Sequence, residues 1–169
     1  MSSRTLRGRS NSSRALRGRS NRRALPKDPA FRKGLKIRKE VAGAEFVERR
    51  LAAADELSWP FEELTTRFAW GMVWSRPTLP RKVRSFLNLA TLTAMNMRHE
   101  LKTHIRGALR NGLTRKEIAE ALLHCIVYCG FPKGLDALRL MQEVFAEVDA
   151  EARKRPKNSR RGAEAQRNR

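Results

Sequence analysis

Residues 98–132 read RHELKTHIRGALRNGLTRKEIAEALLHCIVYCGFP, and the reading of this stretch decides the fold. It is two helices joined by a tight turn. Asn111-Gly112 is a left-handed stop signal for the first helix. Thr114, with Glu117 three residues on, is the capping-box pattern that opens the second. Apolar residues then recur with helical period at Ile118, Ala119, Leu122, Leu123, Ile126 and Val127. Glu100 and His104 are four apart, so they share one face of the first helix. His124 lies among the apolar positions of the second, which predicts that it points inward. The chain has three histidines, and this hairpin sets two of them to face one cavity. A carboxylate and two imidazoles around a cavity form a candidate active site.

The helical pattern extends on both sides of the hairpin. Helices are predicted near 35–56, 60–73, 80–97, 98–111, 115–130 and 133–153, and no segment sustains strand alternation. The expected fold is all-α, a single-domain bundle of about six helices. Trp59-Pro60 and Arg76-Pro77 break helices, because proline restricts the residue before it. Asn96 and Met97 mark a bend between two helices.

Charge divides the chain into three parts: a basic tail 1–30, a helical domain 31–151 and a basic tail 152–169. Net charge is +20 at pH 7. Residues 1–30 carry nine Lys and Arg against one Asp, and 151–169 carry eight against two. Residues 31–150 are left with 20 basic and 14 acidic residues, so the tails make the extreme charge. The first tail is a tandem repeat, SSRTLRGRSN (2–11) followed by SSRALRGRSN (12–21), with Leu6 and Leu16 its only large apolar residues. A segment that cannot bury a core is expected to lack order. Three readings stand for it: a solvated tail, a weak sequence-independent polyanion contact, or an Arg- and Ser-rich transit peptide.

Cys125 and Cys129 are the two cysteines. Four apart on one helix, they are poorly aimed for a bridge. Unpaired thiols point to a reducing, cytoplasmic setting. No run of about 18 apolar residues predicts a membrane span. Zinc-finger spacing, a glycine-rich phosphate loop and H-E-x-x-H are all missing, so neither a metal nor another cofactor is expected.

The strings WGMVWSRP (70–77), LPRKVRSFLNLATLTA (79–94), HELKTHIRGALRNGLTRKEIAEALLHCIVYCG (99–130) and LRLMQEVFAE (138–147) together resemble the carboxymuconolactone decarboxylase family. The resemblance runs from Phe31 to about Glu151 and is closest to the 4-carboxymuconolactone decarboxylases of aromatic catabolism. It implies a helical subunit that assembles into rings, as a trimer or hexamer, and a small lactone carboxylate as substrate. The implied reaction removes CO₂ without a cofactor. The electron pair left behind delocalises through the ring double bond into the lactone carbonyl. The protein must then hold an anion, stabilise the developing oxyanion and deliver a proton to carbon.

His104 is the expected proton donor, since an imidazole titrates near neutral pH and E-L-x-x-H recurs in the family. Glu100 is expected to orient it and keep it charged; the plain alternative is an exposed Glu–His pair. His124 is the second candidate, as alternate acid or oxyanion donor, against a satisfied core histidine. Arg84, inside an apolar helix, and Arg76, in the WSRP turn, are expected to bind substrate carboxylate through the planar guanidinium; either could be a structural ion pair. Trp74, with Trp70 one turn earlier, walls the pocket or fills the core. Tyr128, four residues after His124, donates to a substrate oxygen or packs.

The alkyl hydroperoxidase D branch of the superfamily carries Cys-x-x-Cys with a histidine four residues after the second cysteine. Matching that histidine to His104 puts the thiol positions on Met97 and Glu100, and an acidic position near Ser85. Thiol-peroxidase chemistry therefore survives only if Cys125 or Cys129 is unusually acidic. A further alternative is a non-catalytic member whose tails bind polyanions. Lys133 and Gly134 depart from the family's small apolar pattern in a segment expected to line the pocket.

Overall fold

The computed structural model describes residues 24–154. The tandem repeat and the basic run after Lys154, with the readings attached to them, lie outside the described residues. Among those described, the chain forms seven α-helices and no strand: α1 Pro29–Ala42, α2 Ala44–Ala53, α3 Trp59–Leu64, α4 Arg81–Ala94, α5 Arg98–Arg110, α6 Arg115–Cys129 and α7 Phe131–Lys154. A π-helical segment, Thr65–Val73, continues α3 without a break. No described helix is long and apolar enough to cross a membrane.

The hairpin forms as its punctuation predicts. Asn111 ends α5, Gly112 takes φ 87°, and Thr114 and Glu117 make the reciprocal capping box. Lys82 adds a second contact to that carboxylate, so Glu117 is held at a pKa of about 2, chiefly by the Thr114 backbone N–H and the Lys82 ammonium. The bend between α4 and α5 falls at Asn96, whose φ is 56°.

The single helix expected over 35–56 is instead two. Gly43, at φ 102°, turns the chain between α1 and α2, a conformation open to glycine and strained for other residues. The first helix also begins earlier than expected, at Pro29. Asp28 caps it by accepting from the Phe31 N–H at 2.9 Å and from Arg67 at 2.9 Å. The expected domain boundary at residue 31 therefore lies inside α1, and cutting there removes a cap typically worth about 1 kcal/mol.

Two apolar clusters organise the bundle. The larger joins Leu89 of α4, Leu101, Ile105 and Ala108 of α5, Ile118 and Leu122 of α6, and Ala137, Leu140, Met141 and Val144 of α7. The smaller joins Ile37 and Val41 of α1 to Trp70 of the π-helical segment, with Trp74 packed against it. The two helices of the second cluster cross closely enough to need glycine. A Cβ on Gly34 would lie 2.0 Å from the Thr66 carbonyl oxygen and 2.7 Å from the Gly71 nitrogen. Backbone cannot yield as a side-chain tip can, so Gly34→Ala is expected to cost at least the roughly 1–3 kcal/mol of ordinary overpacking. A thermal melt of the variant checks this; an unchanged midpoint would mean that the crossing is looser than described.

Charged side chains set the register of the outer helices. Lys102 and Arg106 of α5 reach Glu147 and Glu151 of α7, Arg98 reaches Asp136, and Arg115 of α6 reaches Asp149. Such exposed pairs contribute little individually. They fix alignment more than they supply stability.

Candidate active site

The bundle places His104 at the seam between the two apolar clusters. It is on the same inward stripe of α5 as Leu101, Ile105 and Ala108, which pack into the larger cluster. Its ring is stacked on both tryptophans of the smaller one. The centroid distances are 6.3 Å to Trp70, at an interplanar angle of 10°, and 6.3 Å to Trp74, at 25°. The tryptophans themselves are 4.8 Å apart. The π-helical winding carries that pair: the Trp74 N–H bonds to the Ala69 carbonyl, five residues back. Trp70 is buried and Trp74 half-buried, so the first fills the core while the second borders the site.

Asn88 of α4 sits over the imidazole, its Nδ2 3.1 Å from Nδ1 and 3.4 Å from Nε2. Sequence reading passed over this residue. The available signal was an amide four residues after Arg84 in an otherwise apolar run, hence on the same helical face. Burial against the tryptophans pushes the His104 pKa below its ordinary value, and the nearby Glu100 carboxylate opposes this without reversing it. His104 is therefore neutral at pH 7 in the free protein, whereas Glu100 was expected to keep it charged. Glu100 is exposed at the start of α5 and acts on the ring through charge rather than through a hydrogen bond.

Arg84 is half-buried one turn before Asn88. Its Nη2 donates to the Arg76 carbonyl at 3.0 Å, and its Nε is buried without a hydrogen-bond partner. The Trp74–Arg76 turn is thus tied to α4 beside Asn88. Arg76 contributes its backbone oxygen there, while its side chain is exposed.

His124 does not point inward. The packed face of α6 consists of Ile118, Leu122 and Cys125, while Leu123, His124, Val127 and Tyr128 are exposed. The His124 ring lies against Tyr128, with centroids 5.0 Å apart. The sequence pattern gave α6 two apolar stripes, and only the packing against α4 and α7 decides which one is covered. Within one chain, therefore, the two histidines do not share a cavity.

The departures at Lys133 and Gly134 have packing explanations. The Lys133 ammonium donates to the Ala94 carbonyl at 2.6 Å, closing the end of α4. A Cβ on Gly134 would meet Ile126 Cγ1 at 2.1 Å, where α7 crosses α6. Both thiols lie on α6. Cys125 is buried, which raises its pKa, and Cys129 Sγ lies 2.7 Å from the Cys125 carbonyl. A thiol raised by burial is a poor nucleophile. Among the described residues, no group of three or more His, Cys, Asp or Glu side chains could hold a metal ion.

Comparison with known proteins identifies a family. Residues 60–143, which contain Trp70, Trp74, Arg84, Asn88, His104 and His124, match the model of the carboxymuconolactone decarboxylase family. The chain is similar to the nitrosuccinic acid decarboxylase of Metarhizium robertsii, at 45% identity over 129 residues, covering 76% of this chain and 90% of that one. It is also similar to the 4-carboxymuconolactone decarboxylase of Acinetobacter baylyi, at 40% identity over 118 residues, covering 70% of this chain and 88% of that one.

Proposed function

The chain belongs to the carboxymuconolactone decarboxylase family, and from that premise we propose that it is a carboxy-lyase acting without a cofactor on 4-carboxymuconolactone or a close lactone carboxylic acid. The observation that carries this reading is His104, stacked on Trp70 and Trp74 and touching Asn88, the α4 residue one helical turn after Arg84. Arg84 holds a substrate carboxylate through the donors that the Arg76 carbonyl leaves free. The tryptophans exclude water from the reacting carbon. Loss of CO₂ breaks the carbon–carbon bond and leaves its electron pair in the extended system ending at the lactone oxygen. His104 then gives its proton to the ring carbon, forming the new C–H bond, and regains one from water. One proton is consumed per CO₂ released. An imidazole that is neutral when free becomes charged as the anionic substrate settles beside it, since a nearby opposite charge favours the ionised form.

A nitro acid is the second reading, favoured by the 45% identity to a nitrosuccinic acid decarboxylase. The chemistry is closely parallel, with the nitro group receiving the electron pair in place of the lactone carbonyl. Both substrates carry a further carboxylate for Arg84. Incubation with enzymatically generated 4-carboxymuconolactone and, separately, with nitrosuccinate, following CO₂, tests both. Release from one acid at least 100-fold faster than from the other would name the substrate class, and release from neither would end the decarboxylase reading.

The homo-oligomer implied by the resemblance has a surface to use. Phe61, Leu64, Phe68 and Met72 are exposed along α3 and the π-helical segment, as are Leu123, Val127, Tyr128 and Phe131 at the α6–α7 corner. Apolar surface on this scale marks an interaction site. A second copy covering the α6 face would bury His124 and Tyr128. Light scattering at micromolar concentration is expected to give a trimer or hexamer mass, and a monomer would refute the assembly.

A further inference from the structure

We propose that Thr66 and Ser75 are positioning residues of the site: their hydroxyls hold the π-helical winding of Thr65–Val73, and that winding registers Trp70 and Trp74 together against His104. The role rests on His104 being the proton donor of the decarboxylation. In an α-helix each carbonyl accepts from the N–H four residues on. Here the Glu62 carbonyl accepts from the Thr66 hydroxyl at 2.7 Å, and the Gly71 carbonyl accepts from the Ser75 hydroxyl at 2.5 Å. In both cases a side chain competes with its own backbone N–H for that carbonyl. The ladder between them runs one residue longer, as in the bond of 2.9 Å from the Trp74 N–H to the Ala69 carbonyl. A side chain entering the ladder is one of the identifiable causes of irregular helix geometry.

The two hydroxyls act with their surroundings. The Thr103 hydroxyl also reaches back four residues, to the His99 carbonyl at 3.5 Å, and α5 keeps its α-helical winding. Thr66 differs because the buried Arg38 donates to its oxygen at 2.8 Å, which leaves the hydroxyl proton for the Glu62 carbonyl. Helix α1 packs directly on the widened turn. A Cβ on Gly71 would lie 2.2 Å from the Ala30 carbonyl oxygen, and Gly34 lies against the Thr66 carbonyl and the Gly71 nitrogen, five residues apart. Ser75 closes the far end, between Trp74 and the Arg76 carbonyl that receives Arg84. An α-helical turn of 3.6 residues sets residues four apart about 40° out of line. A wider turn rotates the chain less per residue, so it brings Trp74 to a different place around the axis. As wound, the indoles are 4.8 Å apart, and both lie 6.3 Å from the imidazole, on one side of it. Winding of this kind recurs at functional sites; here it builds the apolar wall that desolvates His104.

The experiment compares full-length wild type with Ser75→Ala, Ser75→Thr and Trp74→Phe. Indoles this close couple to give a paired band in circular dichroism, which Trp74→Phe identifies by abolishing it. An ¹⁵N-detected titration without substrate gives the His104 midpoint, and turnover gives kcat and KM. The charged groups near the ring, Glu100 of α5 and Arg84 of α4, are present in every variant. Ser75→Ala is expected to weaken the paired band and to raise the His104 midpoint by roughly half a unit, because looser burial favours the charged form. It is expected to lower kcat about three- to tenfold, a part of the whole general-acid contribution, with little change in KM. Ser75→Thr keeps the hydroxyl and is expected to match wild type in every readout. Ser75→Cys, a weak donor of similar size, repeats the test if alanine disturbs folding. A merely structural Ser75 would change only the melting temperature. Band and midpoint both unmoved in a folded Ser75→Ala or Ser75→Cys would therefore overturn the proposal. So would a weakened band with an unmoved midpoint, which would cut the link to His104. A raised KM with unchanged kcat would place the effect on Arg84 and overturn it as well. Failure of the wild-type chain to release CO₂ from either acid would count against the decarboxylase reading instead, and would leave the band and the titration to decide the role of the winding.

Discussion

His104→Ala is expected to lower kcat by about 10²- to 10⁴-fold, the usual contribution of a positioned general acid, with a smaller effect on KM. The proton goes to carbon, so it is needed in the transition state and not for binding. The pH profile gives a sharper check. Burial holds the free-protein pKa of His104 below its ordinary value. If the charged form is the donor, kcat/KM falls as pH rises through that lowered value. The bound anion raises it, so the basic limb of kcat should lie at higher pH than that of kcat/KM. His104→Ala should lose both limbs together. His124→Gln, on the exposed face of α6, is expected to keep most of the activity. If His104→Ala retains near wild-type turnover while His124→Gln does not, the donor is His124, reaching a site in a neighbouring copy. Stability carries the same signature. The unfolded chain, with His near 6.5, binds more protons than the folded one between the two values. Folding is therefore favoured most above about pH 6.5 and weakens as pH falls through that window.

Glu62→Ala is expected to be the most damaging single change to the fold. Glu62 is buried where α1, α2 and α3 meet. One carboxylate oxygen accepts from Arg38 at 2.6 Å and the other from Arg50 at 2.8 and 2.5 Å. Arg38 is also buried and donates to the Thr66 hydroxyl at 2.8 Å, which in turn donates to the Glu62 carbonyl at 2.7 Å. Removing the carboxylate leaves the Arg38 guanidinium buried without its counter-charge, a loss of about 3–5 kcal/mol for pairs of this kind. Burial alone would raise the Glu62 pKa, but the hydrogen bonds and charges of Arg50 and Arg38 outweigh it and hold the carboxyl below its ordinary value. The stability that this contributes is complete above the unfolded-state pKa near 4.3. It is lost as pH falls through the lower folded-state value. Glu62→Gln, which keeps the shape and some of the bonds, should fall between wild type and Glu62→Ala in a denaturant melt. Equal midpoints for all three would mean that the cluster adds nothing to stability.

Local chemistry made the hairpin legible in the sequence. The Asn111-Gly112 stop, the Thr114–Glu117 box and the period of apolar residues each act within a few residues, so the α5–α6 turn and the all-helical class could be read without a third dimension. The same locality put Arg84 and Asn88 on one face of α4, although only the arginine was singled out. What the sequence could not decide was which face each helix turns toward which neighbour. Helix α6 carries apolar residues around much of its circumference, so His124 could be read as buried until packing against α4 and α7 covered the Ile118–Cys125 face and left the histidine outside. Arg38 and Glu62 are 24 residues apart, so no local rule couples them; their pairing depends on the close crossing of α1 and the π-helical segment at Gly34 and Gly71. The environment of His104 is likewise tertiary. Glu100, its neighbour in sequence, predicted a charged imidazole, while the two tryptophan faces from another helix make it neutral, because desolvation by packed rings outweighs one exposed carboxylate.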